Sequence, residues 1–405
     1  MKKVMIIGAG DFQLPLVKKA AEKYEVVLVA PKIAPEFEPY ATAKYFLDVR
    51  EKEEILEIAQ KEQIDAVLTD QTDIPVRTVA YVAEQMGLQG IGYETAKIFT
   101  DKALMREKMD QCGIATIPYV KASTWEDAET FWKQNGGPVI VKPLDTQGSR
   151  GVIRVDSLEQ LKDAFETSRQ FSTNKNVVVE KYITGPEVVI EGITVDYKMI
   201  DQICGDTIYF DDKSKFSAKK RIFPSQKDDK IVKQALELNQ QIVKAFGLKH
   251  GITHGEYIID GNQVYLIEIA ARGGGVFISS DLIHEETNLD TEEFLLDLAL
   301  GNELHLDLYD TKKVAGYRAF YLPEGEVMEV TGVDEVKRLP YIRNHQLDKI
   351  HVGMKIGKNT DKTSRFAMIL VADNYEEYVV QDEQIKKLLH VKVKTDKNYA
   401  DIIWE

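Results

Sequence analysis

The chain has 405 residues, and a composition of 44% hydrophobic and 29% charged residues is typical of a multidomain globular enzyme rather than of a disordered protein. Its 52 basic and 66 acidic residues leave a net charge of −14. A chain this acidic is poorly suited to bind DNA or RNA through the phosphates, or to bind an anionic membrane surface. We therefore expect neither a nucleic acid nor a membrane as a partner.

The cysteines and the apolar runs indicate the compartment. Cys112 and Cys204 are too far apart for a zinc ribbon and too few for a disulfide framework, which is typical of a reducing compartment. No stretch approaches the length of a membrane span, and the first residues lack the apolar run of a signal peptide. We expect a cytoplasmic protein, and a homodimer is the default expectation because such dimers are the commonest oligomers.

Short apolar runs alternate with helical patterns in the first hundred residues. Strands are predicted at residues 3–7, 25–30, 45–49 and 66–70, with helices at 14–24, 51–62 and 74–87 between them. This alternation predicts a parallel sheet with helices on its faces.

A glycine turn, Gly8-Ala9-Gly10, follows the first predicted strand. A dinucleotide fingerprint needs a third glycine where the chain has Gln13, and an acidic residue after the second strand, where the chain has Pro31-Lys32. An NAD-dependent oxidoreductase therefore has little support, and a plain strand-to-helix turn is the simpler interpretation.

The pattern changes near residue 98 and again near residue 313. Strands at 139–143, 152–155 and 177–183, with helices near 125–135 and 158–169, predict a small α+β unit. Strands at 187–195 and 199–210, a helix at 229–246 and a strand pair around 260–262 follow. A lysine-rich stretch at 213–225 is either a solvated loop or a site for an anionic substrate.

Lys142 lies near the end of an apolar strand and is followed by a glycine-containing loop. Burying an ammonium is costly, so such a lysine usually meets an anionic ligand or a carboxylate. The loop contains Gly148, Ser149 and Gly151, whose backbone N–H groups suit phosphate oxygens. A plain hairpin is the alternative for the loop alone.

Glu180 ends the next apolar strand, and Lys181, Ile183 and Glu187 follow closely. A carboxylate and free backbone groups at a strand end can bind the edge of an adenine and a ribose. Taken alone, the same pattern also fits an exposed strand end.

Glu256 and Glu268 lie on the two arms of a predicted hairpin. With Asp260-Gly261-Asn262 as a three-residue loop, Glu256 pairs with Leu266, and Glu268 points to the same face as Glu256. A two-residue loop would put them on opposite faces. Two converging carboxylates repel each other unless a cation lies between them, and Mg²⁺ suits carboxylates that share it with nucleotide phosphates.

Arg272 follows Glu268 by four residues and precedes three glycines. Glycines permit a close approach of the backbone to a ligand, and the arginine can bind a phosphate or carboxylate through two hydrogen bonds. The alternative is a structural ion pair followed by a flexible loop.

In this order the motifs resemble the ATP-grasp superfamily, and in pattern its carboxylate–amine ligases: the L-amino-acid ligases and the carbamoyl-phosphate-synthase-like members. The resemblance covers residues 1–310. It implies α/β and α+β folding, with a Rossmann-like pre-ATP-grasp parallel-sheet domain at 1–97, a two-part ATP-grasp domain at 98–312 and a small α+β C-terminal domain at 313–405. Within the second of these it implies a mobile lid at about 117–185.

The resemblance also implies a role for each site residue, with ATP and Mg²⁺ as cofactors. Lys102 and Lys142 would contact the ATP phosphates, and Arg272 would stabilise the transferring phosphate or the acyl phosphate. One departure is Ala270, where many members have an asparagine that ligates metal. The remaining residues would surround the nucleotide and the metal. Gly148, Ser149 and Gly151 would lie in the loop over the β- and γ-phosphates, Glu180 and the backbone of Lys181 and Ile183 would hold adenine, and Glu187 would hold the ribose. Glu256 and Glu268 would ligate Mg²⁺.

The implied activity is that of an ATP-dependent ligase. A substrate carboxylate would be activated as an acyl phosphate and joined to an amine, with release of ADP and phosphate. Two alternatives stay open: a carboxylase or carbamate-forming enzyme of the purine or carbamoyl-phosphate type, and a nucleotide-binding protein without catalysis, which only Ala270 suggests.

Overall fold

The computed structural model describes residues 1–146, 148–211, 216–357 and 364–405. The chain forms two compact units: a first unit of residues 1–203, 227–275 and 290–306, and a second of 204–226, 276–289 and 307–405. Gln147 of the predicted phosphate loop, and Lys213 and Lys215 of the lysine-rich stretch, lie outside the described residues. The division at residues 97 and 312 stays a prediction.

The first unit begins with a four-stranded parallel sheet in the order β3-β2-β1-β4. Three of its strands, β1, β2 and β4, are apolar runs buried on both faces, which is typical of a parallel sheet covered by helices. The elements are β1 Lys3–Ile7, α1 Leu14–Ala21, β2 Glu25–Val29, β3 Ala43–Tyr45, α2 Lys52–Glu62, β4 Ala66–Leu68, α3 Val76–Met86 and α4 Tyr93–Ile98.

The predicted parallel sheet is confirmed, but its third strand was placed too late. The strand ends at Tyr45, and the next side chain, Phe46, is 65% exposed. The apolar residues at 46–49 therefore do not continue the strand.

The α+β unit predicted within residues 117–185 has an antiparallel sheet in the order β5-β8-β6-β7. Helices α6 and α7 bury apolar side chains against it, and α6 begins at the capping box of Thr124 and Asp127. The elements, with the helix that precedes them, are α5 Lys102–Gln111, β5 Tyr119–Ala122, α6 Trp125–Asn135, β6 Val139–Pro143, β7 Ile153–Val155, α7 Leu158–Arg169 and β8 Val177–Lys181.

The remainder of the first unit is built on adjacent strands in the order β13-β12-β9-β10. Strand β12 pairs with β9 on one side and with β13 on the other, antiparallel in both cases. The elements are β9 Glu187–Val195, the start of β10 Lys198–Tyr209, α8 Asp229–Phe246, β12 Gly251–Asp260, β13 Gln263–Ala270 and α10 Thr291–Leu300.

The second unit contains the end of β10, followed across its sheet by β11, β14, β18 and β16, and a small sheet in the order β17-β15-β19-β20. One apolar core lies between these strands and α12. The elements are β11 Ala218–Phe223, α9 Ile283–Thr287, β14 Val314–Tyr321, β15 Gly325–Thr331, α11 Val333–Lys337, β16 Ile342–His345, β17 Lys355–Ile356, β18 Arg365–Ala372, α12 Tyr375–Leu388, β19 His390–Lys394 and β20 Tyr399–Ala400.

Among the described residues, no helix combines the length and the apolar character that crossing a bilayer requires.

Candidate functional site

The structure brings Glu256 and Glu268 directly opposite each other, by a route that the sequence did not predict. The hairpin turn has two residues, Gly261 and Asn262, because Asp260 pairs with Gln263. The predicted three-residue loop and the pairing of Glu256 with Leu266 are therefore wrong. A register shift between Glu256 and Tyr257 leaves Ile267 as an extra residue, and Glu256 then pairs with Glu268. Paired residues point to the same face of a sheet, so the bulge restores the predicted convergence.

Lys102 supplies the positive charge beside these carboxylates. Its Nζ donates to Oε1 of Glu268 at 2.7 Å and to the carbonyl of Thr146 at 2.9 Å. The Lys102 side chain is 6% exposed, whereas that of Glu268 is 34% exposed. The buried ammonium of Lys102 is thus paired with the carboxylate of Glu268, which compensates its charge.

Glu180 lies at the centre of a second charged cluster. Its carboxylate accepts hydrogen bonds from Lys142 Nζ at 2.7 Å and from Arg106 Nε at 2.8 Å, and Glu180 is 1% exposed. Burial alone would raise the pKa of Glu180, but the charges and hydrogen bonds of Arg106 and Lys142 lower it to about 2. The carboxylate is therefore held by protein cations, and it is not the exposed strand end of the alternative interpretation.

Arg106 is a site residue that the sequence reasoning missed. Besides binding Glu180, it donates from Nη2 to the carbonyl of Ile267 at 2.8 Å, the extra residue of the bulge. It lies four positions after Lys102 in α5, and residues with this spacing share one face of a helix. That spacing was the available signal.

Arg272 is bound by Asp73, which follows β4. Arg272 Nε and Nη2 donate to the two carboxylate oxygens of Asp73 at 2.7 and 3.0 Å. Burial would raise the pKa of Asp73, but Arg272 holds it below its usual range, and Asp73 in turn keeps the pKa of Arg272 above its ordinary value despite burial. Sequence reasoning missed Asp73, although ligands commonly bind beyond the carboxyl ends of parallel strands.

Two further carboxylates hold the glycine run after Arg272. The backbone N–H of Gly273 donates to Asp70 Oδ1 at 2.9 Å, and that of Gly274 donates to Glu191 Oε2 at 3.0 Å. The carboxylates of Asp70 and Glu191, like that of Asp73, lie in the first unit. The run is therefore fixed by hydrogen bonds at two points, unlike the flexible loop of the alternative interpretation.

His254 occupies the position opposite the departure at Ala270. The two residues are paired across the hairpin, and they share the face of Glu256 by alternation along the strand. Nδ1 of His254 contacts Glu191, and Nε2 lies 3.5 Å from Oε1 of Glu256. His254 and Glu256 therefore lie on one face of the sheet.

The glycine loop after Lys142 has the backbone conformation that favours glycine. Gly148, Ser149 and Gly151 have φ values of 65°, 59° and 75°. The loop is joined to the site because Lys102 binds the carbonyl of Thr146, which precedes it.

The residues expected around adenine and ribose follow strand β8. Lys181 ends β8 with an exposed side chain, and its N–H donates to the carbonyl of Pro118 at 2.9 Å. Ile183 is half-buried beyond the strand, and Glu187 begins β9 opposite Ile258. Their roles toward a nucleotide stay predictions.

The residues present fit a magnesium ion shared with a nucleotide. Within residues 1–146, 148–211, 216–357 and 364–405, no group of three or more His, Cys, Asp or Glu side chains is placed to hold a metal alone. Two opposed carboxylates, Glu256 and Glu268, provide the set that Mg²⁺ uses when phosphates and waters complete its coordination.

Comparison with known proteins agrees with this geometry. Residues 135–281 match the model of the ATP-grasp domain. The matched segment holds the predicted residues from Lys142 to Arg272, so the predicted resemblance to ATP-grasp proteins and the expected fold are confirmed, and ATP-grasp ligases use ATP.

Several ligases are similar to the chain. An L-arginine-specific L-amino acid ligase of Bacillus subtilis is 25% identical over 299 residues, or 72% of this chain and 71% of that protein. An alanine–anticapsin ligase of Bacillus subtilis (strain 168) is 28% identical over 276 residues, or 63% of this chain and 58% of that protein. The crystal structure of an L-amino acid ligase from Bacillus licheniformis superposes with a TM-score of 0.80 at 21% identity, covering 98% of this chain and 99% of that one.

The similarity to the alanine–anticapsin ligase thus spans less than two thirds of that protein. The relatives are ATP-dependent ligases that form C–N bonds, and this agrees with the predicted class of enzyme and does not favour either alternative.

Proposed function

We propose that this protein is an ATP-dependent carboxylate–amine ligase. A substrate carboxylate attacks the γ-phosphate of ATP to give an acyl phosphate and ADP, and an amine then displaces phosphate to form an amide. The observation that carries the proposal is the convergence of Lys102, Glu256 and Glu268 at one bulged hairpin, with Arg272 four residues beyond it.

Positioning and charge neutralisation are the main tasks of such a site, because charge spreads over the transferring phosphoryl group. Lys102 and Lys142 are proposed to contact the ATP phosphates. Each is paired with a glutamate at 2.7 Å, so each ammonium has a fixed position before nucleotide binds. Arg272 is proposed to stabilise the transferring phosphate or the acyl phosphate.

Glu256 and Glu268 are proposed to hold Mg²⁺. The ion, when bound together with ATP, neutralises charge on the β- and γ-phosphates. Since Lys102 is bound to Glu268 in this structure, metal binding requires that Lys102 share that carboxylate or turn toward a phosphate.

The α+β unit at 117–185 is proposed to cover the nucleotide, with Gly148, Ser149 and Gly151 over the β- and γ-phosphates. Glu180, which is held by Arg106 and Lys142 near the end of β8, is proposed to form the adenine site together with the backbone of Lys181 and Ile183. Glu187 is proposed to bind the ribose. Covering the site excludes water, which would otherwise hydrolyse an acyl phosphate.

The names of the relatives support amino acids as the substrate class. One relative is specific for L-arginine, and another joins alanine to anticapsin. We therefore propose that the carboxylate comes from an amino acid, and that the amine comes from a second amino acid or a related compound.

ADP release tests this function directly. Purified protein with Mg²⁺-ATP is assayed against pooled amino acids, pooled dicarboxylates and bicarbonate, alongside Glu268→Gln and the control Glu237→Gln on exposed helix surface. We expect amino acids to raise ADP release, and Glu268→Gln to lower it by about 100-fold or more because charge stabilisation in the transition state is lost. Glu237→Gln should behave as the wild type.

Other outcomes of this assay point to other functions. Stimulation by bicarbonate without any amine would indicate a carboxylase. Binding of ATP without turnover in any pool would contradict the ligase proposal and favour a nucleotide-binding protein.

A further inference from the structure

Four cationic side chains lie together in the second unit, and none of them belongs to the proposed ligase site. Lys219 and Lys220 are in β11, Arg318 is in β14 and Lys386 is in α12. Lys220 and Arg318 are paired across neighbouring strands, so they share one face of the sheet. We call this group the Arg318 cluster.

One buried acid is enclosed by the Arg318 cluster. Asp382 has a side chain that is 2% exposed, and it lies 2.5 Å from Lys220 Nζ, 3.1 Å from Arg318 Nε and 3.9 Å from Lys386 Nζ. Asp382 faces three of these cations, while Lys219 and Lys386 also pair with Asp211 at 3.2 Å and with Glu383 at 2.8 Å. Burial lowers the pKa of Lys220 most, and the charges of Arg318 and Lys386 lower it further, in spite of Asp382.

Glu405 contacts three of the four cations. Its Oε1 lies 2.7 Å from Lys386 Nζ and 3.1 Å from Arg318 Nη2, and its second oxygen contacts Lys219. Burial would raise the pKa of Glu405, but hydrogen bonds from Lys219 and Lys386 and the charge of Arg318 lower it to about 2. The cluster therefore favours an anion at this position.

The Glu405 side chain is more exposed to water than the cations that it contacts. The Glu405 side chain is 49% exposed, whereas Arg318 is fully buried. Arg318 also has a buried Nη1 that makes no hydrogen bond within the part of the chain that the structure describes. A buried donor without an acceptor is unusual, and it leaves Arg318 with a hydrogen-bond donor for a bound oxyanion.

We propose that the Arg318 cluster is a binding site for a small oxyanion, a phosphate or carboxylate group, and that Glu405 occupies it as a displaceable internal ligand. The space required is the space that the Glu405 carboxylate itself fills. Glu405 exchanges with a ligand because the incoming oxyanion takes over its ion pairs with Lys219, Arg318 and Lys386, while the released carboxylate, already half exposed, is solvated by water. Asp382 stays in place, because separating a buried ion pair is expensive.

Removing the internal ligand tests the proposal. The Glu405→Gln variant and the wild type are titrated calorimetrically with inorganic phosphate in one arm and succinate in the other. We expect the variant to bind one of them at least about tenfold more tightly than the wild type, since a charge-assisted competitor has been removed. The arm that responds identifies whether the ligand carries phosphate or carboxylate.

A matched control lies on the same helix. Glu383 also pairs with Lys386, at 2.8 Å, and its side chain is 54% exposed. Glu383→Gln removes the same charge outside the cluster and should show no gain in either arm. Adding Lys219→Gln to Glu405→Gln should reduce the gain, because one of the ligand's cations is then absent.

Two results would overturn the proposal: a folded Glu405→Gln without any gain in affinity, or an equal gain in Glu383→Gln. Circular dichroism establishes folding. If Glu405→Gln does not fold, Glu405→Asp retains the charge but shortens the reach to Lys386 and Arg318, and it should show a smaller gain; no gain in this variant would overturn the proposal as well. None of these measurements depends on ligase activity.

Discussion

Two carboxylates, Glu180 in the first unit and Glu405 in the second, reach the same acidity in different surroundings. The pKa of each is lowered to about 2 by neighbouring cations, against the effect of burial. Glu180 is 1% exposed, whereas the Glu405 side chain is 49% exposed. The same pKa thus arises from a sealed cluster in one unit and from an open cluster in the other.

The difference teaches that acidity does not measure how replaceable a group is. A buried carboxylate that leaves its cations exposes them to an apolar interior, and the cost is several kcal/mol per uncompensated charge. A half-exposed carboxylate is replaced by another anion at little cost, because the incoming anion keeps the cations paired. Glu180 therefore belongs to the framework of its site, and Glu405 behaves as an occupant.

Arg106→Met should produce the largest effect and would break the sealed cluster. It leaves Glu180 with Lys142 as its remaining cation and removes the donor to the carbonyl of Ile267. Breaking a buried pair of this kind costs about 3–5 kcal/mol. We expect the free energy of unfolding in urea to fall by that amount, and ADP release to fall with it, because the bulge that places Glu268 loses its support.

Lys386→Met is the counterpart in the open cluster. Two of the partners of Lys386, Glu383 and Glu405, have side chains about half exposed to water. The expected loss of stability is therefore about 1 kcal/mol or less. Equal losses in the two variants would refute the distinction between a sealed and an open cluster.

The regular part of the fold was readable from the sequence, and the part that fixes the site was not. Apolar runs such as 139–143 and 177–181 form buried strands, and they carry Lys142 and Glu180 as predicted. Alternation could not reveal the extra residue Ile267, because a bulge changes the register without changing the pattern of apolar residues. The loop-length argument therefore gave the right face for Glu268 with the wrong pairing.

Long-range ion pairs were the other gap. Arg272 and Asp73 are 199 positions apart, and Arg106 and Ile267 are 161 apart. Such contacts depend on tertiary packing, which composition and periodicity do not encode. The sequence indicated that Arg272 would bind an anion, and the structure shows that a protein carboxylate is one such anion.

Asp73→Asn should have an effect between those of the two variants above. The Asp73 side chain is 20% exposed, which lies between Glu180 at 1% and Glu405 at 49%. The amide keeps the shape but loses the charge and one of the two acceptors for Arg272. We expect kcat/KM for ADP release to fall roughly tenfold, with the change mainly in kcat, if Asp73 positions Arg272 for the transferring phosphate.

Asp48→Asn is the matched control for that variant. Asp48 also pairs with an arginine, Arg50, at 3.1 Å, but both side chains are about half exposed. It should leave ADP release unchanged. Full activity in Asp73→Asn would show that Arg272 needs no such partner.

Acid titration should give the smallest effect and compares the two carboxylates within one molecule. Both pKa values are lowered from 4.5 to about 2, so between these values the folded protein keeps both groups ionised while the unfolded chain binds protons. The contribution of each carboxylate to the free energy of unfolding is therefore present in full above pH 4.5 and is lost as the pH falls toward 2.

Glu405→Gln removes one of these contributions and leaves that of Glu180. Between about pH 6 and about pH 3, the urea midpoint of this variant should fall slightly less than that of the wild type, because water screens the half-exposed Glu405 pair. An equally steep fall would mean that the open cluster contributes nothing to stability, and an almost flat profile would mean that Glu405, rather than the sealed Glu180, dominates the acid response.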